Sequence, residues 1–304
     1  MRYNKGRVRK GNAKRLSLGN KGRYKKVRQI LINLDLLSAF PVFNMRKYTS
    51  KEYFNAFEAA SLNQLSIKQL CLTERVKGRE CPSPEQMMKC CRTISPEDMV
   101  SFVNAGLASY FKALPQNVRQ HLKKSGTVII DFHQDCYYGT KDNPHVRKGR
   151  TKKSTNFFNE YITADLFCKH GSFTIALLHR SPNEDIFSLA KRLIEYVENV
   201  MKIKVILFDG EFAVIDLLAF LQQKGIKFLG RKSKTQLVKK HAERYYNGSN
   251  WSKVRQWREI ELRSKRSKSK KVRADICPQS VYGEMKFLIK SSGWSITPRY
   301  ADKL

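Results

Sequence analysis

The sequence predicts an α/β protein built on a mixed sheet, with a helical domain in front of it. Short runs of β-branched and aliphatic residues at 127–131, 204–209 and 226–229 are typical of buried strands. Between and before these runs, apolar residues recur every three or four positions, which indicates amphipathic helices. Hydrophobic residues make up 41% of the chain, enough for a packed core, so a wholly disordered basic protein is excluded.

Residues 49–124 are predicted to form a helical domain of about four short helices. The first begins at Thr49 and Ser50, and the second covers residues 66–77. The other two follow the Ser-Pro pairs at 83–84 and 95–96, where Ser caps a helix and Pro occupies its first turn. Residues 66–94 have the length of a helix-turn-helix, so the domain either reads DNA or serves as scaffolding.

Residues 125–304 are predicted to form the sheet domain. The first strand ends on Asp131, and a long basic loop at 141–153 follows it. The later elements are a hairpin pair, a helix, a strand that ends on Asp209, a second helix and a last strand, at 157–168 with 172–179, 183–201, 204–209, 213–223 and 226–229. This alternation predicts a mixed sheet with a parallel portion.

The chain is strongly basic, with 59 Lys and Arg against 26 Asp and Glu and a formal charge of +33. The excess is concentrated in residues 1–28, 141–153 and 224–273. Residues 1–48 are therefore predicted to be a basic arm and linker, and a basic β-rich insertion begins at about residue 231. Such segments predict a polyanionic partner, because binding phosphates releases counterions; the alternative is solvated arms. Nucleic-acid contacts are expected from Lys148, Arg150, Lys152, Lys153, Arg231, Lys232, Lys234, Trp251 and Trp257.

The sequence also argues against a membrane-spanning protein and against a zinc protein. No run of about 18 apolar residues occurs, so a membrane span is not expected. The seven cysteines are scattered without a C-x-x-C pair, which favours reduced thiols over a zinc site. We therefore expect a cytoplasmic protein that stays associated with DNA.

Asp131 and Asp209 are the candidate catalytic and metal-binding residues. Each follows an apolar strand, and a buried, unpaired carboxylate is costly unless a cation offsets its charge. Two carboxylates suit Mg²⁺ or Mn²⁺, and the alternative is that each aspartate caps the turn that follows it. Glu211 and Asp135 are expected to be local hydrogen-bond partners, and His133 is a further candidate beside Asp131.

Two segments resemble the DDE transposases of bacterial and archaeal insertion sequences. Residues 129–139, IIDFHQDCYYG, resemble the first-aspartate region of that family, and residues 207–212, LFDGEF, resemble its second-aspartate motif. The resemblance implies a ribonuclease-H-like fold in which Asp131 and Asp209 hold Mg²⁺. It also implies that DNA is cut at the element ends and that the freed 3′-hydroxyl is joined to target DNA. A homodimer that holds two ends together is consistent with this activity.

The family's third carboxylate is not matched. It is a Glu in a Tyr-x-x-Arg-x-x-x-Glu pattern, and the one candidate start here is Tyr300, with Lys303 in place of Arg. The expected Glu would fall beyond Leu304, so the chain is expected to be a truncated and inactive transposase. The carboxylates of the insertion are poor substitutes: Glu259, Glu261 and Glu284. The alternatives are a non-catalytic nucleic-acid-binding protein on the same fold and a ribonuclease-H-like nuclease.

Overall fold

A computed structural model describes residues 48–62, 65–78, 80–168, 171–233, 235–245, 256–264, 271–281 and 284–296. Within these ranges the helices are α1 Ser50–Leu62, α2 Ile67–Val76, α3 Pro84–Thr93, α4 Pro96–Ala113, α5 Gln116–Ser125, α6 Ile186–Glu198, α7 Ile215–Gln223 and α8 Gln236–Tyr245. The strands are β1 Thr127–Cys136, β2 Arg147–Lys152, β3 Thr155–Cys168, β4 Gly171–His179, β5 Val205–Phe208, β6 Lys227–Ser233, β7 Arg258–Arg263, β8 Lys271–Val281 and β9 Glu284–Ser291.

All nine strands belong to one mixed sheet, which confirms the predicted α/β class. Its order is β2-β3-β1-β5-β6-β9-β8-β7, and β4 also pairs with β3, beyond the part of β3 that pairs with β2. The β1–β5 and β5–β6 pairs are parallel, and the other pairs are antiparallel. The sheet thus has a central parallel portion flanked by antiparallel strands on both sides.

Two predicted boundaries around the first strand were wrong. β1 does not end at Asp131 but continues through five more residues to Cys136, paired with β3 along its whole length. The segment 141–153 is not entirely a loop, because Arg147–Lys152 forms β2. A two-residue turn joins β2 to β3, and both of its residues have positive φ, 45° at Lys153 and 66° at Ser154. The charge of this segment concealed a strand at the edge of the sheet.

The N-terminal part contains five described helices, not about four. The Ser-x-x-Gln capping boxes at Ser66 and Ser83 start α2 and α3, and Ser95 caps α4. α4 is 18 residues long, and α5 follows it. Helices α1 to α3 share a separate core that includes Tyr53, Leu70 and Met87, whereas α4 and α5 contribute Phe111 and Leu122 to the core of the sheet.

Helix α4 is fixed to the edge strand β4 by Asn104. The buried Asn104 side chain donates to the Leu177 carbonyl at 2.8 Å and accepts from the Leu177 amide at 2.8 Å. Both backbone groups of Leu177 that face away from β3 are therefore satisfied by a side chain, and the helix covers this edge.

One face of the sheet is covered by α6 and α7. Asp185 caps α6 by accepting from the amides of Phe187 and Ser188, and the inner face of α6 includes Leu193. Alternate strand residues such as Ile130, Ile206 and Phe228 point into the same cluster. This cluster extends across the sheet to β7, β8 and β9, and it is the main core of the protein.

The predicted β-rich insertion is part of the main sheet. β9 pairs with β6, and β8 and β7 extend the sheet beyond it, while α8 shows that the segment also contains a helix. Gly230 allows β6 to approach β5 closely, because a Cβ at this position would lie 2.2 Å from the Phe208 ring. No helix among the described residues is both long and apolar enough to cross a membrane.

Candidate active site

Asp131 and Asp209 lie next to each other on neighbouring parallel strands. The last paired residues of β1 and β5 are Ile130 and Phe208, so the two aspartates occupy the next position of the same register. Asp209 keeps an extended backbone, with φ −81° and ψ 170°. Since paired strands lie about 4.8 Å apart, the two carboxylates are within reach of one small cation cluster.

Both carboxylates are exposed, so the prediction that each is buried at the end of a strand was wrong. The Asp131 side chain is 55% exposed, and Asp209 is also exposed. β1 runs past the end of β5, so Asp131 is not enclosed by a buried strand end as expected. The two carboxylates therefore need no cation to offset the cost of burial. A metal site here is supported by their proximity and by the carboxylate oxygens that they supply as ligands.

The two aspartates and Arg231 form one row across three strands. Phe208 pairs with Gly230, so Arg231 of β6 is level with Asp209. Along each strand these three residues alternate with residues of the main core, so their side chains lie on the face of the sheet opposite α6 and α7. On that face they follow the apolar residues Ile129, Leu207 and Leu229. Arg231 is exposed and makes no ion pair with any residue that the structure describes. A predicted nucleic-acid contact is thus placed beside the predicted metal ligands.

The overhang of β1 beyond β5 creates a small cleft of about 170 Å³, which we call the notch. Asp131, Asp209 and Glu211 bring three carboxylates to its lining, and Lys152 brings an ammonium group. The remaining lining residues are Phe132, Gln134 and Phe212. Glu211 belongs to the 3₁₀ turn Gly210–Phe212, so its position follows from the short connection after Asp209.

Lys152 is held at the notch by a chain of polar contacts. Its ammonium group donates to Gln134 Oε1 at 2.5 Å, and Gln134 Nε2 donates to Glu160 Oε1 at 2.6 Å. The other Glu160 oxygen accepts from Arg180 Nη1 at 2.9 Å, in an ion pair that is almost completely buried. Burial, followed by the nearby Arg147 guanidinium, lowers the pKa of Arg180, and Glu160 opposes this shift.

Sequence reasoning missed Gln134, Glu160 and Arg180. A signal for Glu160 exists: it alternates with Phe158 and Ile162, which are both buried, and the period of a strand therefore places it inside. Gln134 and Arg180 carry no comparable pattern, because their roles depend on contacts across the sheet.

The other candidates near Asp131 make local contacts. His133 Nε2 lies 3.2 Å from Thr163 Oγ1 and 3.7 Å from Asp131 Oδ2. Asp135 is exposed two residues further along β1, and Asp131 Oδ1 accepts from the Phe132 amide at 2.8 Å. Of His133 and Asp135, His133 is therefore the closer to the aspartate row.

The predicted nucleic-acid contacts divide into two groups. Lys148, Arg150 and Lys153 are exposed on the β2–β3 hairpin. Lys232 is only 9% exposed and alternates with Arg231, so its side chain faces the helix layer and not the side of the sheet that carries the aspartate row. Trp257 donates to the Ile296 carbonyl at 2.6 Å and packs against the core of the open face, so it anchors the sheet edge and does not present a free ring. Lys234 and Trp251 lie outside the described residues.

Two of the three carboxylates of the insertion are distant from the aspartate row. Glu259 and Glu261 are on β7, four strands from β5, which corresponds to about 19 Å at the usual strand spacing. Glu259 accepts from Ser292 Oγ, and Glu261 pairs with Arg263, which lowers the pKa of its carboxyl. Glu284 begins β9, which pairs with β6 and β8, and Tyr300 and Lys303 lie outside the described residues.

The donor set fits a hard divalent ion. Asp131 and Asp209 supply carboxylate oxygens, the ligands that Mg²⁺ and Mn²⁺ prefer, with Glu211 at the same notch. Among the described residues no group of three or more His, Cys, Asp or Glu side chains forms a ready metal site. Two carboxylates by themselves leave most of the coordination sphere of such an ion to water and substrate oxygens. No family model and no curated protein sequence matches this chain.

Proposed function

We propose that this chain is the ribonuclease-H-like core of a DDE-type DNA transposase, with Asp131 and Asp209 as the metal ligands. The observation that carries the proposal is the placement of the two aspartates at equivalent positions of adjacent parallel strands, β1 and β5. The order of elements supports it: a strand, a hairpin pair, a helix, a strand, a helix and a strand follow each other along the chain, with an additional edge strand at the hairpin.

The residues around the notch have distinct roles in this proposal. When bound, Mg²⁺ or Mn²⁺ would polarise the scissile phosphate and activate the attacking oxygen. Lys152, fixed by Gln134, lies where its ammonium group can pair with a substrate phosphate oxygen, and Arg231 offers a second cation beside Asp209. The exposed bases of the β2–β3 hairpin would bind the phosphate backbone next to the reacting group.

The proposal is tested by Mn²⁺ binding, followed by electron paramagnetic resonance, together with binding of duplex DNA. Asp131→Asn and Asp209→Asn each leave a single aspartate in the row, so we expect each to lose most of the Mn²⁺ binding. Both should retain DNA binding, because they remove no positive charge. Glu195→Gln is the matched control, since it neutralises an exposed carboxylate on α6, in the helix layer.

Strand transfer in the presence of Mn²⁺ is the second readout, and any activity should disappear in both Asn variants. Unchanged Mn²⁺ binding in both variants would contradict the metal assignment. If DNA binding also remained intact, the result would favour the alternative, a non-catalytic nucleic-acid-binding protein on the same sheet.

A further inference from the structure

A second, larger cleft of about 930 Å³ lies on the helix-covered side of the sheet. Its walls are the first turns of α6 and α7, the end of β6 and the end of β7. Four basic side chains line it: Arg147, Arg180, Lys232 and Arg263. The cleft is separate from the notch, and none of its lining residues belongs to the aspartate row.

Lys232 is a buried ammonium group without a carboxylate partner. Its Nζ donates to the Ala213 carbonyl at 2.5 Å, and no carboxylate oxygen among the described residues lies within 4 Å of it. The two other buried cations of the described chain are paired, Arg180 with Glu160 and Lys290 with Asp275. An ammonium group taken out of water without a counter-charge is strongly unfavourable, and burial accordingly lowers the pKa of Lys232.

Two of the three acidic residues of the cleft have partners other than Lys232. Glu184 pairs with Arg192 at 2.8 Å and 3.0 Å, and Asp185 caps α6 through two backbone amides. Asp216, in the first turn of α7, is the third acidic residue that lines the cleft. The cleft therefore contains a cation whose counter-charge the described chain does not provide.

The start of α7 adds a second, independent feature. Val214 precedes this nine-residue helix without making a side-chain cap, and Ala213, Val214 and Ile215 all line the cleft. Because Lys232 Nζ donates to the carbonyl of Ala213, two residues before the first residue of α7, the ammonium group lies beside the N-terminal end of this helix and the positive end of its dipole. Helix amides and a lysine together are a usual environment for a phosphate.

We propose that this cleft binds a phosphate group, with Lys232 and the N-terminus of α7 as its principal contacts. In the context of the proposed function, on which this assignment of the source rests, the phosphate is a phosphodiester of the bound nucleic acid. Residues 210–213 connect the notch to the cleft, and Asp209 and Ala213 are separated by at most about 14 Å of extended chain. One nucleic-acid strand could therefore contact the aspartate row and the cleft together.

Inorganic phosphate is the first probe. Its binding is measured by calorimetry and as a rise in the melting temperature of the full chain, with chloride at equal ionic strength as the reference. We expect saturable phosphate binding, and in Lys232→Met a loss of affinity of about tenfold or more, as for one hydrogen bond to a charged group. Lys202→Met is the matched control, because Lys202 is exposed outside the cleft.

Arg263→Gln provides a second test that does not disturb the core, since Arg263 is 63% exposed at the far wall of the cleft. A smaller loss of phosphate affinity is expected. Equal phosphate binding by the wild type, Lys232→Met and Arg263→Gln would overturn the proposal, as would phosphate stabilisation no larger than that of chloride.

The source of the phosphate is distinguished by competition. A single-stranded oligonucleotide should displace inorganic phosphate from the wild-type protein; failure to do so would overturn the strand contact and leave a site for free phosphate. Mn²⁺ binding by Lys232→Met should remain at the wild-type level. The two proposals are thus tested separately. Phosphate binding can be absent while the aspartate pair still binds Mn²⁺, and Mn²⁺ binding can be absent while the cleft still binds phosphate.

Discussion

The two faces of the sheet differ although the same strands form them. On the helix-covered face, Ile130, Ile206 and Phe228 are buried under α6 and α7. On the opposite, open face, the neighbouring residues Ile129, Leu207 and Leu229 pack in a smaller cluster, and beyond them lie the polar residues of the aspartate row. Alternate residues of one strand therefore serve stability on one side and binding on the other, and substitutions on the two faces should separate these properties.

The largest effect on stability is expected from Leu193→Ala, which opens a cavity under the helix-covered face. Leu193 is completely buried in α6, so the free energy of unfolding should fall by about 3 kcal/mol in urea denaturation. Asp131→Asn on the open face should change it by about 0.5 kcal/mol or less, because the side chain is exposed. Similar losses in both variants would contradict the separation of the two faces.

A smaller loss of stability is expected at the β4 edge of the sheet, where Asn104 attaches α4. Asn104→Ala removes both hydrogen bonds to Leu177 and leaves two backbone groups without a partner, at a cost of about 2 kcal/mol. Hydrogen exchange of the Leu177 amide should accelerate at the same time. Asn199→Ala, at the C-terminal end of α6, is the control, and an unchanged exchange rate in Asn104→Ala would show that α4 is held by other contacts.

A pH-dependent effect is expected from His179 on β4. Its ring is buried against Tyr161 and His145, and its Nδ1 lies 3.9 Å from Glu97 Oε1. Burial is the main cause that lowers its pKa, partly opposed by Glu97, so the unfolded chain binds a proton more readily than the folded one. Stability should therefore be complete above the unfolded pKa of about 6.5 and decline below it, by at most about 1.4 kcal/mol per pH unit.

This dependence is measured by urea denaturation between pH 5 and pH 8. His179→Phe should flatten the decline, whereas the exposed His121→Gln should not. A curve with the same slope in His179→Phe would assign the pH dependence to other groups.

The smallest effect is expected from the hairpin. Replacing Lys148 and Arg150 by Gln should leave stability unchanged, because both residues are exposed. If both contact DNA phosphates, the slope of log affinity against log salt should decrease by about 1.8. The corresponding pair Lys191→Gln and Lys202→Gln, outside the open face, should leave the slope unaltered, and equal slopes in all three proteins would exclude the hairpin from the interface.

The sequence predicted those elements whose formation depends on local patterns. The Ser-Pro pairs located the starts of α3 and α4, and the apolar runs located β5 and β6, because caps and strand periodicity act over a few residues. The adjacency of Asp131 and Asp209 followed from the same reasoning, since both come at the same point of neighbouring parallel strands.

The sequence could not show what depends on pairing across the chain. The polar end of β1 and the basic β2 have no apolar alternation, and their strand structure comes from pairing with β3. The burial of Lys232 within a basic run, and the extension of the sheet by β7 to β9, likewise require contacts between distant residues. A run of basic residues predicts side chains exposed to solvent, and Lys232 is an exception because the packing of α7 buries it.

The turn between β2 and β3 has a thermodynamic consequence. Lys153 and Ser154 both adopt left-handed backbone conformations that cost a non-glycine residue about 1 kcal/mol each, and Asn-Gly would suit such a turn better. The hairpin is therefore less stable than it would be with Asn-Gly at the turn, and it keeps a lysine where folding alone would favour Asn or Gly. The Tyr138 hydroxyl donates to the Lys153 carbonyl at 2.9 Å and holds the turn, so part of the stability of the hairpin is given up to keep a cationic side chain next to Lys152.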